Sequence, residues 1–156
     1  MWQWLRSKVV GVRTTLDGSF LMTAITTPVL SDSTDSLLRF ALRADAVITG
    51  AIGLAGAVAA RPMAALEGLT AVHEYAVAAF CVLYGVAVYF LAALPDLRRA
   101  GIGVIAANVV CTVIALAVAE AGVLPLTGIG VAAMLVSAAY TAFFAGMQYR
   151  GLRRLG

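Results

Sequence analysis

The sequence predicts an all-α membrane protein: four transmembrane helices in an up-down antiparallel bundle. An interfacial amphipathic helix is one reading of the segment that precedes them. Three observations predict this class. Four long apolar runs fill the chain between residues 37 and 149. Composition is 62% hydrophobic and only 12% charged, whereas soluble domains average about 45–50% apolar and about 25% charged. Ten of the eleven Lys and Arg residues fall on one side of the four runs. A bilayer core about 30 Å thick takes roughly 20 apolar residues of helix to cross. Four crossings with short turns use most of the 156 residues, which leaves room for one transmembrane domain and no separate water-facing one.

Residues 1–36 form a cytoplasmic or interfacial N-terminal segment. Trp2, Leu5, Val9, Val12 and Leu16 recur at helical spacing, with Gln3, Arg6 and Arg13 elsewhere on the wheel. Paired Trp with basic residues suits a helix lying on a leaflet. The apolar stretch at residues 20–25 is short and no small-x-small site follows it, so it does not read as a signal peptide. Residues 31–36 (SDSTDS) are polar, and Asp35 or Ser36 is placed to cap the next helix.

The transmembrane domain occupies residues 37–156. Its first span is expected at about residues 37–60, closed by Arg61 and Pro62, because proline disfavours helix at the preceding residue. Gly50, Gly53 and Gly56 lie along it at a spacing that lets helix backbones approach closely in lipid. They read first as a packing seam and second as a dimer seam. The second span is expected at about 68–94, the third at 101–121 and the fourth at 126–149. The links at 95–100 and 122–125 are too short for anything but antiparallel neighbours.

Basic residues set the orientation. Arg6, Lys8, Arg13, Arg39 and Arg43 precede or open the first span. Arg98 and Arg99 lie between the second and third, and Arg150, Arg153 and Arg154 follow the fourth. Arg61 alone is on the other side. The positive-inside rule then places both termini in the cytoplasm of a bacterium, in its inner membrane. Arg39, Arg43, Arg98, Arg99, Gln148, Arg150, Arg153 and Arg154 form the expected cytoplasmic contact with anionic lipid headgroups or a partner. Tyr149 reads as an interfacial anchor. Glu67, Glu74 and Glu120 border the opposite face.

Polar residues at membrane depth carry the functional argument. With a rise of about 1.5 Å per residue, Asp45, Tyr84, Asn108, Tyr140 and Thr141 fall in one layer about 12–15 Å from the cytoplasmic surface. An acid at the centre of a span costs roughly 2.5–3.5 kcal/mol on insertion scales, so Asp45 is expected to face the bundle interior and find partners. Asn108 and a tyrosine hydroxyl supply donors. Such a cluster serves either as an interhelical clasp or as a proton- or substrate-binding site.

Other chemistry is thin. Cys81 and Cys111 make no CxxC pair and read as buried free thiols. His73, Glu74 and Glu120 are too few for a metal centre, which needs three or four converging ligands. Gly101 and Gly103 open a membrane helix without a preceding strand, so they are not a nucleotide loop. No nucleophile–base pair is present. Neither catalysis, a metal nor a cofactor is expected. The positive charge clusters at the membrane boundary, which accounts for it without a nucleic-acid partner.

Residues 37–46 (LLRFALRADA), Asn108 and residues 147–154 (MQYRGLRR) together resemble a group of small four-helix bacterial integral membrane proteins of uncharacterised biochemical role. The resemblance covers about residues 30–155, with loose motifs that mostly encode topology. It implies fold and location, and no activity. The expected function is that of an integral membrane protein without catalysis, acting as an accessory or interaction subunit or a small scaffold, as a homo-oligomer or within a larger membrane complex. The alternative is a small dimeric transporter or channel with Asp45 as its membrane-embedded carboxylate.

Overall fold

The structure, a computed structural model, describes residues 35–155. The expected N-terminal surface helix lies outside the described residues. Four helices make up the described chain: α1 (Ser36–Glu67), α2 (Ala71–Leu91), α3 (Leu97–Ala121) and α4 (Gly128–Arg153). Each is long and apolar enough to cross a membrane. The 21 residues of α2 span about 32 Å at the usual rise, close to the thickness of a bilayer core. The 32 residues of α1 span about 48 Å, so part of α1 projects beyond the hydrocarbon.

Helix ends differ from the expected spans at several points. Arg61 and Pro62 do not end the first helix; Pro62 lies inside α1, which runs on to Glu67. Ala60 and Ala64 are both buried on either side of the proline, so interhelical packing carries the helix past it. Membrane helices tolerate an internal proline where neighbouring segments hold the backbone. Gly68 closes α1 instead, at φ 82° with its N–H donating to the Ala64 carbonyl; glycine adopts this left-handed conformation without a Cβ penalty. Asp35 makes no side-chain capping bond to α1, and its carboxylate takes Arg39 Nε at 2.8 Å. The third helix starts at Leu97, capped by Asp96, whose carboxylate accepts from the Arg99 N–H. The fourth continues to Arg153, so Arg150 and Arg153 stand in its last turn, where cations complement the helix dipole.

Packing differs from that of a soluble protein on its outer side. The interior mixes small and polar side chains (Ala41, Ala46, Ala60, Ala78, Ala138, Ala145, Asp45, Asn108 and Gln148) with a few larger apolar ones such as Leu38, Leu42 and Val88, all buried. The exterior carries the large apolar ones, with Val58 at 92% exposure, Val72 at 75% and Phe90 at 69%. A soluble monomer rarely shows a contiguous apolar patch beyond a few hundred Å². An outer surface made of Val, Leu, Ile and Phe on all four helices is a surface for lipid, and multi-pass membrane insertion follows from it.

Small residues set how close the helices come. A Cβ on Gly85 would stand 2.6 Å from the Ala46 carbonyl oxygen, and one on Gly53 would stand 2.8 Å from the Ala78 carbonyl oxygen and from Cys81 Cβ. These two positions carry the α1–α2 approach. Gly50 and Gly56 are looser, with nearest atoms at 4.0 and 3.9 Å. The start of α1 is gripped at Leu38, which lies 2.8 Å from where a Gly151 Cβ would be and 3.0 Å from one on Gly101. Its far end meets α4: Thr127 N–H donates to the Glu67 carbonyl at 3.0 Å and its hydroxyl to the Leu66 carbonyl at 2.6 Å. An apolar cluster of Leu38, Leu42, Ala46, Val88, Ala92, Leu97 and Val104 fills the interior beside Asp45.

Candidate functional site

The four helices converge on one carboxylate. Asp45, in α1, has no solvent exposure. Its Oδ2 accepts from the Tyr84 hydroxyl of α2 at 3.0 Å, from Asn108 Nδ2 of α3 at 2.8 Å and from Gln148 Nε2 of α4 at 2.8 Å. Its Oδ1 accepts from the Thr49 hydroxyl at 3.1 Å and lies 3.4 Å from the Tyr140 hydroxyl. Asn108 Nδ2 also donates to Gln148 Oε1 at 3.1 Å, and the Thr49 and Tyr140 hydroxyls are 3.0 Å apart. Two amides and three hydroxyls thus surround the acid, every helix contributes, and every partner is neutral.

Each of these partners can donate to a carboxyl oxygen, which accepts. A typical hydrogen bond contributes about 0.5–1.5 kcal/mol net. Five of them together are comparable with or larger than the roughly 2.5–3.5 kcal/mol insertion cost of an acid at the centre of a span. Asn108 and Gln148 are themselves buried, and their amides order one another before they reach the acid. Among the described residues no buried side-chain nitrogen or oxygen is left without a partner. A network this complete fixes one arrangement of its helices, because any slip strands a polar group in a medium that cannot satisfy it.

Of the residues expected in the polar layer, the structure brings Tyr84, Asn108 and Tyr140 each onto Asp45. Thr141 is set apart: its hydroxyl pairs with Thr112 at 2.7 Å, and Thr112 donates to the Asn108 carbonyl at 2.8 Å. Thr141 therefore braces the α3–α4 pair and does not touch the acid. Gln148 was expected at the cytoplasmic lipid contact and is found instead with no exposure, on Asp45. Its place in α4 explains the difference. Tyr140, Phe144 and Gln148 are spaced by four and share one face, and that face is turned inward. Thr49, four residues after Asp45, follows the same rule and joins the site although nothing singled it out. Thr112 is likewise four after Asn108.

The arginines divide into two kinds. Arg39 is held: besides Asp35, its Nη1 donates to the Ala92 carbonyl at 2.8 Å and the Leu94 carbonyl at 3.3 Å. It thereby satisfies carbonyls left open at the end of α2 and does not reach Asp45. Arg43, Arg98, Arg99, Arg150, Arg153 and Arg154 are exposed, Arg99 pairing with Asp96 at 3.3 Å. At the other end Glu67 and Glu74 are buried, Glu120 is exposed, and His73 Nδ1 is 2.7 Å from the Thr70 hydroxyl at the start of α2. Among the described residues, no group of three or more His, Cys, Asp or Glu gathers to hold a metal ion.

Comparison of the chain with protein-family models, with curated proteins and with solved structures finds no match.

Proposed function

We propose that this chain is a non-catalytic integral protein of a bacterial inner membrane that serves as an accessory subunit or small scaffold. Its helices run up and down in antiparallel order, and both termini lie in the cytoplasm with the arginines. The observation that carries this reading is the state of Asp45. The acid is fully enclosed and hydrogen-bonded from all four helices, and apolar Leu38, Leu42 and Val104 are buried nearby. Such an acid locks a fold; a transport site keeps a path to water. What remains for function is the outer surface, apolar around its girth and basic at one end, which suits contact with lipid and with other membrane helices. The test is purification in mild detergent. A larger membrane complex should come with the chain at sub-stoichiometric loading, and a chain that runs alone at every loading removes the reading.

A second reading has one observation in its favour. No Lys, Arg or His among the described residues pairs with Asp45, so a cation or proton entering the site would meet a carboxyl group without a basic partner. On this reading the protein is a small dimeric transporter or channel. Vesicles containing the purified chain would then show a cation or proton flux that Asp45→Asn abolishes; equal flux in both proteins sinks it.

A further inference from the structure

The outer face of α1 carries two adjoining grooves. One, of about 550 Å³, has Arg39 and Arg43 at its mouth and Phe40 and Val47 along its wall. The other, of about 470 Å³, continues from Val47 between α1 and α2, past Gly50 and Gly85 to Leu54. Gly50 gives the second groove its depth: the nearest atom a Cβ there would meet is 4.0 Å away, so the trough is open where a side chain would otherwise stand. Val47 and Leu54 are 58% and 62% exposed and form its rim.

Length and charge point to one occupant. From Arg39 to Leu54 is fifteen residues of continuous helix, about 22 Å, and half of a bilayer that measures about 40–45 Å with its headgroups is about 20–22 Å deep. Arg43 is exposed and makes no ion pair among the described residues. The Arg39 guanidinium beside it is fixed in place by Asp35 and the Ala92 carbonyl. A positive mouth, an apolar wall and a leaflet-deep trough match the three parts of a phospholipid. We propose that this composite groove binds a single anionic glycerophospholipid, its phosphate at Arg43 and Arg39 and one acyl chain laid over Gly50 between α1 and α2. The inference rests on the chain crossing a bilayer and stands whether or not a partner complex exists.

The test is native mass spectrometry of the full chain in detergent, titrated with phosphatidylglycerol or with phosphatidylcholine of the same chains. One phosphatidylglycerol should be retained in preference. Arg43→Gln should weaken retention by at least about fivefold, the effect of one arginine near a membrane surface. Gly50→Leu fills the trough with both arginines intact and should weaken it as much. Val47→Trp, a change at an exposed rim position, does the same job should Gly50→Leu fail to fold. Arg61→Gln, at an exposed arginine on the other side of the bundle, should leave retention unchanged. Equal losses from Arg43→Gln and from Arg61→Gln would mean diffuse attraction and overturn the site. So would a photo-crosslinker at Val47 that captures a second copy of the chain, or residues 1–34 of the same chain, in place of lipid.

Discussion

A carboxylate in a membrane interior is tolerated only in proportion to the donors that reach it, and at Asp45 the donors can be counted. Replacing it with leucine leaves the Tyr84 hydroxyl, an Asn108 N–H and a Gln148 N–H facing hydrocarbon. An unmatched buried polar group costs about 1–3 kcal/mol, so Asp45→Leu should lower unfolding free energy by about 3 kcal/mol or more. Asp45→Asn keeps an acceptor toward the two amides and turns its own N–H₂ toward the Thr49 and Tyr140 hydroxyls, which can accept. Its cost should stay near about 1 kcal/mol. Reversible unfolding in mixed micelles measures both, and similar losses for the two variants would mean that charge, not hydrogen bonding, holds the site. The contrast also makes Asp45→Asn the proper variant for a flux assay, since it removes the charge and keeps the fold. Thr141 is a milder case. Single interhelical hydrogen bonds in membranes average about 0.6 kcal/mol, so Thr141→Val should change stability by less than about 1 kcal/mol on the same measurement.

Between elements, backbone proximity does what large side chains do in water. Lipid is as apolar as leucine, so helices gain little by burying leucine against each other and more by close contact. Gly85 shows the consequence. A methyl added there meets the Ala46 carbonyl at 2.6 Å and the Gly50 backbone at 3.0 Å, and neither neighbour is the end of a flexible side chain. Gly85→Ala should push α1 and α2 apart and cost about 1–3 kcal/mol, the usual range for overpacking. Gly146, also within a helix, has nothing within 4 Å of its added methyl. Gly146→Ala should be neutral or stabilise by up to about 1 kcal/mol through helix propensity. Thermal unfolding of the two variants side by side separates packing from propensity; equal effects would remove the close-approach account.

For the whole molecule, the central question is which ends share a face of the membrane. Leu38 at the start of α1 touches Gly101 near the start of α3 and Gly151 near the end of α4, while Arg39 bonds carbonyls at the end of α2. The arginines of the described residues other than Arg61 gather at that same end. If the positive-inside rule governs, the loop between α3 and α4 faces outward. In a chain whose Cys81 and Cys111 are replaced by serine, Val123→Cys should react with an impermeant maleimide in intact spheroplasts. Arg154→Cys should react only after lysis. The opposite pattern would invert the orientation, and labelling of both in intact cells would break the even crossing count.

Fold class and the core of the site were both legible in the sequence, for the same reason. Lipid imposes a one-dimensional rule, about 20 apolar residues per crossing, so helix number follows from a linear scan. Depth is also linear in residue number, which is why Asp45, Tyr84, Asn108 and Tyr140 could be placed in one layer. Rotation about each helix axis is not linear, and there the sequence had less to say. An all-round apolar helix has no polar face to mark its outside. Hence Gln148, near a run of arginines, reads as a headgroup contact although its side chain points inward. Thr49 carries a signal in its spacing, four residues from Asp45 and so on the same helix face. Pro62 is a further instance: local chemistry argues for a stop, and only the packing of Ala60 and Ala64 against neighbouring helices carries α1 beyond it. Sequence alone determined how many helices of the described residues are long and apolar enough to cross a membrane and which residues fall at similar positions along them. Tertiary structure decided which faces meet, because that depends on which backbones can approach within contact distance, and no property of one helix contains that information.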